Sequence, residues 1–182
     1  MNLSNQLLIA MPSLDDPWFN QSVTYIFEHT EEGTSGIVLS DPIDMSLDQV
    51  LEQLALPVPS GTMERQVMRG GPVEAERGFV LHRGAADYDA SAAISDEVAL
   101  TTSRDLLEAI SRGEGPEQML LALGRAGWAG GQLEQEIAAN SWLTAPTELS
   151  ILFDLPPAQR WQAAVALLGI DPAQLSPDAG HA

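Results

Sequence analysis

The sequence predicts one domain of mixed α and β structure, a mixed sheet with helices packed on it. Three observations carry this. Short runs alternate with period two, as in Val23, Tyr25 and Phe27. Segments with apolar residues at helical spacing, such as Leu47, Val50, Leu51 and Leu54, lie between those runs. The connections include both local hairpins and longer crossovers. At 182 residues the chain fits a single domain. Such a chain buries roughly 70% of its unfolded surface, enough for a core held by packing.

Taken in order, Leu7 to Met11 is a short apolar run stopped by Pro12 and reads as a buried strand. Leu14-Asp15-Asp16-Pro17 is turn chemistry. Residues 22–40 read as a hairpin: Val23 to Phe27 out, Glu31-Glu32-Gly33 turning, Gly36 to Leu39 back. Ser46 is a good N-cap for a helix over 46–55, which Pro57 and Pro59 close. Val67-Met68 predicts a strand, with Phe79 to His82 its neighbour across a turn. Residues 84–97 read as a loop with one short strand near Ile94. Val98 to Thr102 is a strand, and Ser103 caps a helix over Arg104 to Ser111, broken by Gly113-Glu114-Gly115-Pro116. Met119 to Leu123 is continuously apolar, as in a central strand covered on both faces. Gly124 to Gly131 reads as a glycine loop before a helix over Gln132 to Asn140. A short strand and a last helix, Ala158 to Leu168, complete a domain over residues 1–170; 171–182 is expected to be a flexible tail.

Charge and composition exclude several function classes. Twenty-six acids face eight bases, a net charge of −18; all the bases are arginine, and the first is Arg65. Non-specific nucleic-acid affinity comes from Lys and Arg displacing counterions, so direct nucleic-acid binding is not expected. With no cysteine, disulfides, thiolate metal sites and cysteine nucleophiles drop out. The first residues have no positive n-region, and no apolar stretch approaches the ~18–20 residues that cross a bilayer. A cytoplasmic protein without a membrane segment is expected.

Candidate chemistry centres on two glycine-rich stretches. In the first, Gly70, Gly71 and Pro72 lead through a turn to a strand ending on His82. Glycine admits positive φ or close backbone approach, proline presets a turn, and histidine titrates near neutrality. His29 could join His82 and a carboxylate in a metal site, but no His-x-x-x-His spacing exists. Structural histidines at strand ends are the preferred reading. In the second, Gly127, Trp128 and Gln132 fall in a strand–glycine loop–helix layout of the kind that cradles phosphate. Its spacing matches neither common nucleotide fingerprint, and Glu134 and Glu136 in the first turns repel an anion. The acids Asp15, Asp16, Glu28, Glu31 and Glu32 read as a solvated face, and Gly33-Thr34-Ser35-Gly36 lacks the nucleophile-elbow spacing. No catalytic constellation emerges, and neither cofactor nor metal is expected.

Four pieces together resemble the YqgE/AlgH family of bacterial proteins. They are L-L-I-A-M-P-S-L-D-D-P-W-F-N-Q-S-V-T-Y-I-F-E-H (7–29), G-I-V-L-S-D-P (36–42), G-G-P-V with G-F-V-L-H (70–82), and G-W-A-G-G-Q-L-E-Q-E-I (127–137), followed by Trp142. They occur in the family's order and span residues 3 to about 170. The chain departs from the family at Ser40, where an asparagine is usual, so any role of that amide does not carry over. The resemblance implies a compact fold whose bifurcated sheet rolls into a pseudo-barrel, and a cytoplasmic location. It also brings a transcriptional-regulator label, without a mechanism or an enzymatic activity.

Two function classes follow. One is a regulatory protein, leaning away from catalysis, that acts through a protein or small-molecule partner; its oligomeric state is open. The other is an enzyme or ligand-binding protein using a pocket between the Gly70–Pro72/His82 and Gly127–Gln132 segments. The discriminating observation is whether His82 and Gln132 line one open, polar pocket.

Overall fold

The computed structural model describes residues 2–12, 14, 16, 19–59 and 65–171. The expected tail over 171–182 lies, beyond residue 171, outside the described residues, as do His181 and Asp15. The strands are β1 (Gln6–Ala10), β2 (Val23–Thr30), β3 (Gly33–Val38), β4 (Pro42–Ser46), β5 (Gln66–Arg69), β6 (Val73–Arg83), β7 (Ser91–Ala93), β8 (Val98–Thr101), β9 (Met119–Ala129) and β10 (Trp142–Pro146). The helices are α1 (Leu47–Gln53), α2 (Asp105–Ser111), α3 (Gln132–Ala138), α4 (Leu149–Phe153) and α5 (Pro157–Leu167).

All ten strands join one curled sheet, ordered β10-β1-β2-β3-β9-β6-β8-β7, with β4 and β5 branching off. The branch point is β9. Its C-terminal half pairs with β3, from Gly36↔Ala126 to Gly33↔Ala129. Its N-terminal half pairs antiparallel with β6 on one side and parallel with β5 on the other. One strand therefore serves two diverging sheet halves, and this split makes the half-barrel bifurcated. Among the described residues only the β5–β9 ladder is parallel, so the sheet is mixed.

Alternating residues face opposite sides of a strand, and this sorts the core. Leu7 and Ile9 of β1 and Leu120 and Ala122 of β9 point into the curl, where Ile151, Leu152, Ala164 and Val165 of α4 and α5 fill it. Leu8, Ala10 and Ala126 face outward under Leu133 of α3, beside Trp128 and Trp142. Met119 and Leu121 face outward under α1 and α2, against Leu51, Leu106 and Ile110.

Several expectations are corrected. β5 and β6 are not neighbours across a turn, because β9 lies between them. Gly124 to Ala129 is not a loop but the second half of β9. β4 and α4 were not expected; both are only 5 residues long, too short for periodicity to register. Ser46 does cap α1, with Gln49 completing a capping box. Ser103 does not cap α2: its hydroxyl donates to Asp105 at 2.5 Å and accepts from the Ala90 N–H. At the departure from the family pattern, Ser40 Oγ accepts from the Val23 N–H at 3.1 Å, a backbone-anchoring role.

Candidate functional site

The two glycine stretches meet, but as backbone against backbone. A Cβ built on Gly70 would lie 2.2 Å from the Gly124 carbonyl oxygen, and one on Gly71 2.1 Å from the Arg125 carbonyl carbon. Gly70 N–H donates to Leu123 O, and its own carbonyl accepts from Val38 N–H. Gly70 and Gly71 thus close the gap where the sheet halves part, and Pro72 sits exposed beside them.

His82 is 1% exposed. Its Nε2 pairs with Thr101 Oγ1 at 2.7 Å, and its ring meets Tyr88 edge-on. Burial lowers its pKa below the usual 6.5, against a smaller opposing pull from the Arg83 carbonyl. It pairs in register with Met119 at one end of β9, whereas Gly127 pairs with Ser35 at the other. Eight residues of strand separate those rungs, roughly 26 Å at ~3.3 Å per residue. Gln132 lies beyond that far end. Its side chain accepts from Ala129 N–H and donates to Glu136, both at 2.9 Å. His82 and Gln132 therefore share no pocket.

Gly127 and Trp128 border a shallow groove of about 380 Å³ with Glu28, Glu32 and Arg125. Its cation is already held by Glu74 at 2.9 Å and Ser35 at 2.9 Å. Beneath α3, the Trp128 and Trp142 indoles both donate to Glu136 Oε1, at 3.3 and 3.0 Å. His29 pairs with Glu134 and accepts from Leu3 N–H. It lies at the Trp128 level of the sheet, far from His82. No metal-binding cluster of His and acids occurs among the described residues.

The arginines reveal a site that the motifs did not. Six of the eight pair with a carboxylate: Arg69, Arg77, Arg83, Arg104, Arg112 and Arg125. Arg65 and Arg160 form no ion pair among the described residues, and both line the same cavity. This cavity, about 690 Å³, opens between β5, the start of β9 and the α4–α5 turn. Arg65 Nη2 donates to the Glu117 carbonyl at 2.6 Å. Arg160 is only 6% exposed. Its Nη1 donates to the Leu39 carbonyl at 2.7 Å, while its Nε is buried with no partner. Loss of solvent pushes its pKa down to about 10, so it stays a cation at neutral pH. The available signal is one arginine four residues before Ala164, on the buried face of the last helix.

The family model DUF179, described as AlgH-like, matches residues 7–173. A UPF0301 protein of Thioalkalivibrio sulfidiphilus is 56% identical over 100% of this chain and 97% of its own length. One from Chromobacterium violaceum is 49% identical, covering 100% and 98%. Among solved structures, the AlgH protein from Pseudomonas aeruginosa aligns with a TM-score of 0.81 at 47% identity, over 100% of this chain and 97% of that one. A protein from Corynebacterium diphtheriae aligns with a TM-score of 0.70 at 26% identity, over 87% and 83%.

Proposed function

The chain belongs to the AlgH-like family, and on that premise we propose that it is a cytoplasmic regulatory protein acting through a bound partner, by binding and not by catalysis or DNA contact. The observation that carries the reading is the arginine pattern. Six cations are already matched with acids, and the two left over border one cavity of ligand size. A small molecule in that cavity touches β5, β9 and the α4–α5 turn at once, so its binding state can be passed to the surface those elements form. The transcriptional-regulator label of the family fits a role exerted on another protein.

Direct DNA contact is disfavoured by charge. A DNA reader presents a basic face and a reading helix. Here the net charge is −18, and Arg104 and Arg112 on α2 are paired with Glu108 and Glu114. No helix among the described residues is long and apolar enough to cross a membrane. The test is a titration into labelled duplex DNA at low salt. No anisotropy change is expected; binding that weakens steeply with added salt would contradict this reading.

A further inference from the structure

We infer that the cavity beside Arg160 is a binding site for a monocarboxylate with an apolar body, the carboxylate being taken by the Arg160 guanidinium. The inference rests on the binding-protein reading above and gives that reading a ligand class.

A buried charge is tolerated when it is paired and hydrogen-bonded. Arg160 has one hydrogen bond, to Leu39, and no counter-ion among the described residues, although the chain has 26 acids from which to supply one. Thr24 Oγ1 and Asp48 Oδ1 are also buried without a partner, but Arg160 is the cation among these atoms. A guanidinium offers a planar fork of N–H groups that fits a carboxylate in bidentate fashion. With Nη1 engaged by Leu39 and Nε closed off from solvent, Nη2 is the guanidinium nitrogen left for a ligand's carboxylate oxygen. Arg65, the other arginine without an ion pair among the described residues, borders the same cavity.

The rest of the lining decides the remainder of the ligand. Met68, Leu120, Phe153 and Leu155, which pack in the core on the α4–α5 side of the sheet, border the cavity, which suits an aliphatic or aromatic body. Glu117 and Asp154 also border it. Two acids against two arginines leave no excess positive charge, and the chain as a whole repels anions. A single carboxylate is therefore favoured over a doubly charged phosphate.

The test is a thermal-shift and calorimetric titration of the full chain with sodium hexanoate, hexan-1-ol and inorganic phosphate at constant ionic strength. A ligand of the native state raises the melting temperature by mass action. The expected result is stabilisation by hexanoate that exceeds both other probes. Arg160→Met should weaken hexanoate on the order of tenfold or more, the scale of a lost charge-assisted bond. If Arg160→Met fails to fold, Arg65→Gln, outside the core, should still weaken it several-fold. Equal stabilisation by hexan-1-ol would overturn the carboxylate assignment while leaving an apolar ligand site. Equal stabilisation by phosphate would reduce the site to a general anion trap. No response to any of the three would overturn the ligand class outright, and the DNA titration judges the binding-protein reading independently.

Discussion

Leu39 and Arg160, 121 residues apart, are joined by a hydrogen bond from Arg160 Nη1 to the Leu39 carbonyl at 2.7 Å. It ties the last helix to the chain just beyond β3. The same side chain lines the cavity of about 690 Å³ and holds a buried Nε without a partner. One arginine thus serves both the fold and the site.

Its two roles predict a muted stability effect. Arg160→Met removes the donor to Leu39, a loss of about 1–3 kcal/mol. It also removes a desolvated cation, and replacing buried charge by apolar volume is often neutral or stabilising. The ligand-free variant should unfold in urea within about 1 kcal/mol of the parent. A loss much beyond that would make Arg160 chiefly a structural tie.

His82 should behave as a core residue. His82→Ala leaves a cavity and removes one partner of the Thr101 hydroxyl, which keeps Ser91 Oγ at 2.6 Å, for a loss of about 2–3 kcal/mol. Hexanoate should still stabilise the variant, because His82 does not line the Arg160 cavity.

The same histidine sets a pH dependence. Burial holds its folded-state pKa below the usual 6.5, so between the two values the unfolded chain binds more protons. Its contribution should be fully present above pH 6.5 and lost as pH falls through the folded-state value. Urea midpoints measured from neutral to mildly acidic pH should fall in the parent more than in His82→Ala.

Gly71→Ala should be among the most damaging single changes. Gly71 has φ +151° and faces the Arg125 carbonyl with no room for a methyl group. Backbone strain and the forced parting of β9 from the glycine turn should destabilise by on the order of 3 kcal/mol or more. Soluble yield and urea unfolding check this.

Glu136→Ala should be visible in fluorescence. It removes the acceptor shared by Trp128 and Trp142, at a loss of about 2 kcal/mol for charge-assisted bonds. The tryptophan emission should change in the native state, before any unfolding. An unchanged spectrum would mean that the indoles do not sense this carboxylate.

Much of the fold was legible because it is local. The 22–40 hairpin, α1 with its Ser46 cap, and the apolar first half of β9 each announce themselves within a dozen residues. The second half of β9 did not, because its glycines resemble a loop. They are required by tertiary contact: a Cβ on Gly124 would meet the Gly71 carbonyl at 2.3 Å. The branch at β9 was equally hidden from local pattern, since pairing partners come from distant segments. For the site, the glycine motifs drew attention to residues that pack backbone on backbone. Arg160 carries no local motif: that it and Arg65 stand without ion pairs among the described residues is apparent only once the other six are placed.

The most direct measurement is an NMR titration of the arginine Nε–Hε resonances with sodium hexanoate. A large, saturable shift is expected for Arg160, with smaller movement for Arg65 and little change in the six ion-paired arginines. Shifts spread over the exposed arginines, with Arg160 unmoved at saturation, would contradict the assignment of the carboxylate to Arg160.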